Sequence, residues 1–514
     1  MQNSTRILIN TGAQYVRAII NIVLSFIATR VVLKVLGVED YGIYVLIAGV
    51  VSILSFLTSS LVITTQRFLS VAQGENDITK SQKIFSTSLT LHIVIGFVVI
   101  AILEILYPIF FNGILNIPET RITAAKILYH IVILILFLTL VTSPFRAILV
   151  SHENIVYISI IEILDSIFKV LIAISLYYFT HDKLIVYGML LLGIQVFNLI
   201  TLSVYSYWKY EECILPNTKL FEKKHLKELS SFTGWTMYNL ICNLGRTQGL
   251  SILLNRYYGP AINASYGLGF QVSGGLSNIS SSLLNAMNPQ LMKAKGNGNH
   301  ARMLRLAEIE SKFAFFLLSA FAIPCMFEMP RLLELWLGKV PEYAVLFCNM
   351  VILAALSDVS TVGLGSANQA IGNIKQYTLV ICTIKLSTLI VAIILLHIGL
   401  DIFYIAIAYV AIEFISAMYR LPFLKKTAGM SIRLFAKKVF VKELIPVATL
   451  VSTCLFITNF FNGQYRLIFT LVLSIVVYVT AIYYTGLCND EKNLIDKYIN
   501  KIYKKRIYEY KNNS

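Results

Sequence analysis

The stretch INTGAQYVRAIINIVLSFIATRVVLKVL at residues 9–36 decides the class of fold. It is long enough to cross a bilayer as a helix, because a spanning helix needs roughly 20 mostly apolar residues. A second apolar run follows at once at residues 41–66, so we interpret the first run as an uncleaved membrane span rather than a removable signal peptide. Its polar residues recur at helical spacing and share one face: Asn10, Gln14, Arg17 and Asn21.

The rest of the chain repeats this pattern of long apolar runs. Of its 514 residues, 57% are apolar and 14% are charged, whereas soluble domains carry about 25% charged residues. No soluble domain of useful size fits between the runs, so the predicted fold is an all-α membrane protein with about 14 transmembrane helices. The fourteen predicted spans are 9–36, 41–66, 84–106, 123–149, 155–178, 184–208, 232–255, 263–289, 311–333, 343–365, 376–397, 402–424, 443–461 and 465–487.

The chain also contains an internal repeat, with an offset of 222 residues. Internal repetition is the usual construction of secondary transporters. We therefore expect two six-helix bundles related by the repeat, followed by two extra C-terminal helices. The matched pairs are Gly12 and Gly234, Gly37 and Gly259, Ser59 and Ser281, and Gly74 and Gly296.

The distribution of basic residues predicts the domain organisation and the topology. Lys and Arg are retained on the cytoplasmic side of membrane proteins, and the largest basic clusters fall on one side if both termini are cytoplasmic. We expect the basic segment 501–506 to lie on the inner leaflet as a short amphipathic helix. The predicted parts are an N-terminal bundle at 1–208, a cytoplasmic linker at 209–231, a C-terminal bundle at 232–424, a basic loop with two extra spans at 425–487, and a basic cytoplasmic tail at 488–514.

The composition counts against several classes of function. The net charge of +16 is spread over many short loops, which favours inner-leaflet attraction over nucleic-acid binding. The seven cysteines are widely spaced, without a CxxC pair, so we predict neither a metal site nor disulfides. No Walker motif and no G-x-S-x-G motif is present. We therefore predict a protein that is not an enzyme and carries no cofactor.

Polar faces on several spans predict a transport path. Polar groups that face lipid cost several kcal/mol each unless they are satisfied, so these faces must contact protein or water. Helix–helix hydrogen bonding is one explanation, and a shared, water-filled cavity is the one we favour. Besides the first span, the seventh and eighth spans contribute the candidate substrate-binding residues Asn239, Asn243, Arg246 and Asn285.

Arg17 and Arg246 suggest the charge of the substrate. Neither span supplies an acidic partner for its arginine, and cations inside the membrane normally face a bundle interior or a cavity. Unpaired arginines lining a cavity favour an anionic substrate such as a phosphate or pyrophosphate. Lys385 is a further candidate for the same path, while Arg30 either lines the path or extends its charged end to the membrane surface.

The acidic residues inside the predicted spans have two interpretations. Glu162, Asp165 and Lys169 share one helix face, and Asp165 and Lys169 form an i,i+4 pair. An internal ion pair that holds the bundle together is one interpretation, and a cation-coupling or gating site is the other. Asp358 and Glu413 have the same two interpretations.

The last two spans differ from the others. They lie outside the repeat and carry charged residues only near their ends, at Glu443 and Arg466. We therefore expect them at the periphery, without a polar face to contribute to the path.

Three short motifs carry a resemblance to a known family: Val35–Tyr44 (VLGVEDYGIY), Arg67–Ser70 (RFLS), and Pro144–Ala147 (PFRA) followed by Glu153. With these motifs the chain resembles the polysaccharide branch of the multidrug/oligosaccharidyl-lipid/polysaccharide (MOP) exporter superfamily, and most closely Wzx-type flippases of the O-antigen and capsule repeat unit. The resemblance implies two bundles around a cavity lined by spans one, two, seven and eight. It also implies alternating access in a bacterial cytoplasmic membrane.

The resemblance further implies what the protein binds. The expected substrate is an undecaprenyl-pyrophosphate-linked oligosaccharide, and the expected partners are membrane lipids, a polysaccharide polymerase and chain-length proteins. A multidrug exporter of the MATE type and a transport-inactive scaffold are the alternatives. The first span has no acidic residue before Glu39, which counts against a cation-coupled drug exporter.

Overall fold

The structure, a computed structural model, describes residues 2–52, 54–111, 117–215, 223–461, 463 and 465–493. All regular structure in this part of the chain is helical, which confirms the predicted all-α class. The tail segment 501–506 and the basic residue Lys219 of the linker lie outside the described residues. The helices are α1 (Gln2–Ser52), α2 (Ser55–Gly74), α3 (Ile78–Ile109), α4 (Ile122–Ser151), α5 (Ile155–Ser175), α6 (Lys183–Lys209), α7 (Lys223–Tyr258), α8 (Pro260–Gly296), α9 (His300–Phe327), α10 (Met329–Leu337), α11 (Ala344–Val359), α12 (Val362–Ile371), α13 (Ile374–His397), α14 (Ile402–Ala428), α15 (Ile432–Lys438), α16 (Phe440–Phe460) and α17 (Arg466–Ala481).

Many of these helices are long and apolar enough to cross a membrane. Within the described residues, nine helices are long and apolar enough to cross a membrane. The number is ten if the pair α11 and α12, bent by 48°, forms one span. The remaining predicted spans also fold as helices but carry more polar or charged side chains; α5, for example, is apolar overall but contains three charged residues, Glu162, Asp165 and Lys169. The protein is therefore a multi-pass membrane protein, and the total of fourteen spans stays a prediction.

Two glycines matched by the repeat adopt the same backbone conformation. Gly37 interrupts α1 with a φ of 80°, and Gly259 separates α7 from α8 with a φ of 85°. A positive φ is inexpensive only for glycine, because glycine has no Cβ. At these two positions the sequence repeat corresponds to the same turn between consecutive helices.

The chain divides into two compact units that do not follow its linear order. The first unit comprises Met1–Leu244, Ser282–Met303 and Ser366–Cys382, and the second comprises Gly245–Ser281, Leu304–Gly365 and Thr383–Ser514. The bundle boundaries at 208 and 424 stay a prediction.

Within the first unit, α2 and α8 end with their backbones in contact. A Cβ on Gly74 would overlap the carbonyl oxygen of Lys293, and a Cβ on Gly296 would overlap the carbonyl oxygen of Val71. Only a residue without a side chain permits such an approach. The two glycines are equivalent in the repeat, so the two copies of this sequence contact each other through the same residue.

Arg121 joins three segments of the first unit. Its Nε donates to Oδ1 of Asp40 at 2.7 Å, and its Nη1 donates to Oδ2 of Asp182 at 2.7 Å. Asp182 also caps α6 by accepting from the backbone N–H of Leu184 at 3.1 Å. Burial alone would raise the pKa of Asp182, but the hydrogen bonds from Arg121 and the backbone hold it below its usual value.

We expect Arg121→Gln to lower stability by about 1 kcal/mol at pH 7, as is typical of partly exposed ion pairs. A carboxyl whose folded-state pKa is lowered stabilises the fold above its ordinary pKa of about 3.9, and this contribution is lost as the pH falls through the folded-state value. The difference in thermal midpoint between wild type and variant, measured in detergent, should therefore shrink as the pH drops below about 4. Lys34→Gln is the control, and an equal effect of both variants would contradict the assignment.

In the second unit, α17 packs against α9 through a polar face that was not predicted from the sequence. The expectation that this span contributes no polar face to the transport path stays a prediction. Glu328 is fully buried and accepts from Nε and Nη2 of Arg466, each at 2.9 Å. Thr470 donates to the same carboxylate at 2.9 Å, and the Tyr478 hydroxyl lies 2.6 Å from that of Ser319. The polar residues recur every fourth position and therefore line the buried side of α17.

Candidate functional site

A polar cavity of about 690 Å³ lies within the first unit. Residues of α1, α2, α4, α5, α6 and α8 form its walls. Its volume is within the range of small-molecule sites, about 300–1,000 Å³. We call it the first cavity; its charged residues are Arg17, Arg146, Glu162, Asp165 and Lys169.

Glu162 is the common partner of two arginines in the first cavity. Arg17 on α1 pairs with Oε2 of Glu162, and Arg146 on α4 pairs with Oε1. The two carboxylate oxygens are thus held by guanidinium groups from two different helices. The expectation that Arg17 is unpaired is therefore wrong, because its acidic partner comes from α5 rather than from its own span.

Arg146 was not among the candidate residues predicted from the sequence, although it lies in one of the motifs that carried the family resemblance. It belongs to α4 and shares a helical face with Thr139, Thr142 and Ser143, all of which line the first cavity. This helical spacing is a signal in the sequence from which Arg146 could have been predicted. Its side chain is 41% exposed, compared with 20% for Arg17, so it is the more accessible guanidinium.

The part of the first cavity formed by α5 also contains the predicted ion pair of Asp165 and Lys169. Nζ of Lys169 lies 2.7 Å from Oδ2 of Asp165, and the amide of Asn198 donates to the other carboxylate oxygen at 2.9 Å. Ser166 donates to Oδ1 of Asn21 at 3.0 Å, which joins α5 to α1. The Lys169 side chain remains 48% exposed.

The charges in the first cavity do not cancel. Three cations, Arg17, Arg146 and Lys169, face two carboxylates, Glu162 and Asp165, so one positive charge is in excess. The excess favours an anion, and Arg146 and Lys169 are the most exposed of the cations.

The remaining polar residues of α1 contact protein within the first unit. Asn10 donates to the backbone oxygen of Glu153 at 2.8 Å, and Oε1 of Gln14 accepts from Asn285 at 3.4 Å. Both Asn10 and Gln14 are buried. The predicted face of the first span is therefore used partly for packing, at Asn10, and partly for the cavity, at Gln14, Arg17 and Asn21.

A smaller cavity of about 300 Å³ lies within the second unit, and Arg246, Asp358, Lys385 and Glu413 line it. Arg246 pairs with Oε2 of Glu413, while Nζ of Lys385 lies 2.5 Å from Oε1 of the same carboxylate. Lys385 also lies 3.5 Å from Asp358, which Arg420 contacts at 2.5 Å. Arg246 is thus paired as well, again through an acid on another helix.

The central ion pair of this second network, between Arg246 and Glu413, is more deeply buried than the ion pairs of the first cavity. The side chains of Arg246 and Glu413 are 7% and 4% exposed. The guanidinium carbon of Arg246 lies 4.6 Å from the centre of the Tyr409 ring, which adds a cation–π contact. Its Nε has no hydrogen-bond partner within the described part of the chain.

The other predicted binding residues lie outside these networks. Asn243 donates to the backbone oxygen of Asn239 at 2.9 Å, so these two form a local contact within α7. They belong to the first unit, whereas Arg246 belongs to the second. Arg30 is exposed and lines neither cavity. A single cavity lined by both Arg17 and Arg246 stays a prediction.

The sequence match decides the family. A model of the family described as "Polysaccharide biosynthesis protein" matches residues 5–295. The chain belongs to this polysaccharide biosynthesis protein family. The match confirms the polysaccharide part of the resemblance predicted from the motifs. No curated protein matches this member of the family.

Solved structures show the fold of this polysaccharide biosynthesis protein. A crystal structure of a MATE mutant is 13% identical, with a TM-score of 0.71 over 82% of this chain and 96% of that chain. A MOP superfamily transporter from Pyrococcus furiosus is 12% identical, with a TM-score of 0.67 over 82% and 95%. The MATE transporter ClbM in complex with Rb⁺ is 15% identical, with a TM-score of 0.66 over 83% and 96%. These likenesses show that the chain has the fold of MATE and MOP superfamily transporters.

One group of potential metal ligands occurs in the described part of this family member, at Cys488, Asp490 and Glu491. Its carboxylates already pair with cations: Arg305 lies 2.6 Å from Asp490, and Lys312 lies 2.5 Å from Glu491. These contacts neutralise the charge that a metal ion would need, so the group is best described as an ion-pair network.

Proposed function

We propose that this transporter moves an undecaprenyl-pyrophosphate-linked oligosaccharide from the inner to the outer leaflet of the bacterial cytoplasmic membrane by alternating access. The observation that carries the proposal is the convergence of Arg17 and Arg146 on one carboxylate inside a polar cavity with excess positive charge. A guanidinium presents a planar fork of donors that matches phosphate as well as carboxylate oxygens. Membership of a polysaccharide biosynthesis family supports a glycan carrier as the substrate.

In this proposal Glu162 occupies the place of the substrate anion. Its two oxygens satisfy both guanidinium groups while the first cavity is without substrate, which avoids the cost of unpaired cations inside the membrane. A pyrophosphate offers more acceptor oxygens than a carboxylate and competes for the same donors. Displacement of Glu162 would change the contacts between α5 and its neighbours α1 and α4. Substrate binding would thereby alter the packing of the helices that enclose it.

The network in the second unit has a different role in this proposal. Glu413 and Asp358 hold Arg246, Lys385 and Arg420, and the side chains of these three cations are nearly buried. Buried ion pairs of this kind specify one arrangement of helices rather than adding much stability. We assign them the function of fixing the packing of α7, α13 and α14 during transport, with the acids as positioning residues.

Export of a cationic drug is the competing function. The acids Glu162 and Asp165 line the first cavity, and one structural relative is described as a complex with Rb⁺. Here, however, arginines or Lys169 occupy both carboxylates. The excess charge is positive, which disfavours a cationic substrate.

Reconstituted transport tests the proposal. The purified protein is placed in liposomes that contain a fluorescent polyprenyl-pyrophosphate-linked oligosaccharide, and a membrane-impermeant reductant quenches the outer-leaflet fraction. We expect the wild-type protein to make the protected fraction accessible. Protein-free liposomes and liposomes with an unrelated membrane protein are the controls. Transport of a cationic dye without movement of the lipid would favour the drug exporter instead.

The proposed topology predicts accessibility of the loops. Tags after Ser514 or within residues 211–230 should be cytoplasmic, and a tag at residues 112–119 should be external, because of the positive-inside rule. Labelling of single cysteines with an impermeant maleimide on intact cells checks this expectation. An external C-terminus would contradict a fourteen-span arrangement. A polysaccharide polymerase and chain-length proteins are the protein partners we expect.

A further inference from the structure

A second cavity of the first unit, of about 700 Å³, shares no lining residue with the first cavity. Residues from the ends of α2, α8 and α12 and from the starts of α3, α7 and α13 form it. In the predicted topology these segments are on the cytoplasmic side. We call it the basic cavity; its ionisable residues are Arg67, Glu75, Lys80, His225, Lys227, Glu228, Lys295 and Lys375.

Arg67 forms the inner wall of the basic cavity. Only 9% exposed, it lies between two aromatic rings, with its guanidinium carbon 4.4 Å from the centre of Phe68 and 4.9 Å from that of Phe232. Its Nε donates to the backbone oxygen of Gln369 at 2.8 Å. A Cβ on Gly372, which has a φ of 91°, would overlap the guanidinium. The fold thus holds this cation in place and leaves room for it.

The basic cavity has a larger charge excess than the first cavity. Five Lys and Arg side chains face two carboxylates, so three positive charges are in excess without His225. Lys80 pairs with Glu75 at 2.5 Å. Lys227, Lys295 and Lys375 have no carboxylate at ion-pair distance in the described ranges, and Lys375 lies 5.7 Å from the centre of the Trp235 ring. Three amines are therefore available to a ligand.

A guanidinium group held in place beside several lysine amines is an arrangement that recognises phosphate. The guanidinium supplies an oriented donor, and ammonium groups supply point charges that adapt to the phosphate oxygens. An apolar wall of aromatic rings lowers the local dielectric and strengthens these interactions. The positive charge also attracts anions from the surroundings over about a Debye length.

We propose that the basic cavity is a binding site for phosphate groups, separate from the proposed transport path. A pyrophosphate headgroup and an anionic phospholipid headgroup present the same chemistry to it. Neighbouring residues of α2 line the two cavities, Gln66 the first and Arg67 the basic cavity. The two cavities therefore adjoin the same turn of α2.

Trp235 provides a direct test, since the chain has three tryptophans. Trp208 and Trp336 are 83% and 50% exposed, so phenylalanine, which keeps an aromatic ring, can replace both with little loss of buried contacts. In this background Trp235 reports on ligands at Lys375. We expect inorganic pyrophosphate to change its emission in a saturable way, with apparent affinity that falls as salt is added.

Lys227→Gln/Lys375→Gln should weaken the apparent affinity for pyrophosphate by about tenfold or more, because two charge-assisted contacts are lost. The matched control is Lys425→Gln/Lys426→Gln, which removes two exposed lysines at the end of α14 and should leave the response unchanged. A response that is unaltered in the first variant, or equally weakened in the control, would overturn the proposal.

Lipid nanodiscs separate the two sources of phosphate. A change in Trp235 emission on exchanging phosphatidylcholine for phosphatidylglycerol, lost in Lys227→Gln/Lys375→Gln, would support the site with a lipid headgroup as its ligand. A response to soluble pyrophosphate alone would support it with a diphosphate ligand, and silence towards both would overturn it. None of these outcomes depends on the reconstituted transport assay, so failure of the proposed function is detected independently.

Discussion

Alanine at both Arg17 and Arg146 is expected to reduce transport of the lipid-linked oligosaccharide by about 100-fold or more. Each guanidinium lost from an anion costs about 1.5–3 kcal/mol, and 1.4 kcal/mol corresponds to a factor of ten. Two such contacts therefore account for the expected loss. The measurement is the initial rate of lipid movement in liposomes, normalised to the amount of reconstituted protein.

The single variants and a control sharpen this prediction. Arg146→Ala should reduce transport more than Arg17→Ala, because Arg146 is the more exposed of the two. Arg146→Lys should retain part of the activity, since an ammonium keeps the charge but not the planar fork. Arg30→Ala is the matched control on α1. This variant should show normal transport, because Arg30 lines neither the first cavity nor the cavity of the second unit. Normal transport by the well-folded double variant would exclude both arginines from the substrate path.

Glu162→Gln adds a second test of the same site. It removes the competing carboxylate and leaves the first cavity with two more positive charges than negative ones, counting Arg17, Arg146, Lys169 and Asp165. We expect tighter binding of the pyrophosphate and slower transport, because the bound anion no longer has a competitor for its release. If Glu162→Gln lowers both pyrophosphate binding and transport, the role of Glu162 is structural instead.

Replacement of Glu413 by methionine is expected to destabilise the protein by about 3–5 kcal/mol, the cost of breaking a buried ion pair from one side. Arg246 and Lys385 would then lie next to each other without their common carboxylate. Both cations are at least nine-tenths buried, so water cannot solvate them fully. The thermal midpoint in detergent and the amount of protein in the membrane should both fall.

A double variant separates the charge effect from the loss of packing. Arg246→Met/Glu413→Met removes one charge of each sign and should be more stable than Glu413→Met alone, because fewer buried cations remain unpaired. Glu334→Met, at an exposed position of α10, is the control for removing a carboxylate. A double variant no more stable than Glu413→Met would show that the ion pair does not determine the stability of this region.

The pairing of Arg246 also changes what its substitution can show. Arg246→Glu would place a second carboxylate beside the buried side chain of Glu413, and the repulsion should reduce the amount of folded protein. Loss of transport in that variant would therefore not identify a substrate contact. Arg17 and Arg146, whose side chains are more exposed than that of Arg246, are the better positions for this question.

The two halves of the sequence repeat have some glycines in common but not their charged residues. Gly37 and Gly259 form the same turn, and Gly74 and Gly296 pack against each other. The charged residues do not follow the repeat: Arg17 corresponds to Asn239, and Leu24 corresponds to Arg246. The two halves therefore share these glycine positions, while their ion-pair networks use different ones.

The sequence by itself determined the membrane helices, because a backbone inside lipid must satisfy its hydrogen bonds within each segment, and a helix does so wherever about 20 apolar residues follow one another. It also determined which faces of α1 and α5 are polar, because a periodicity of 3.6 residues is a local property. Only the tertiary structure decided which acid neutralises which arginine. Arg17 and Glu162 are 145 residues apart, and Arg246 and Glu413 are 167 apart. Periodicity along one helix gives the direction of a side chain but not the helix it meets, and that depends on how all the helices pack together.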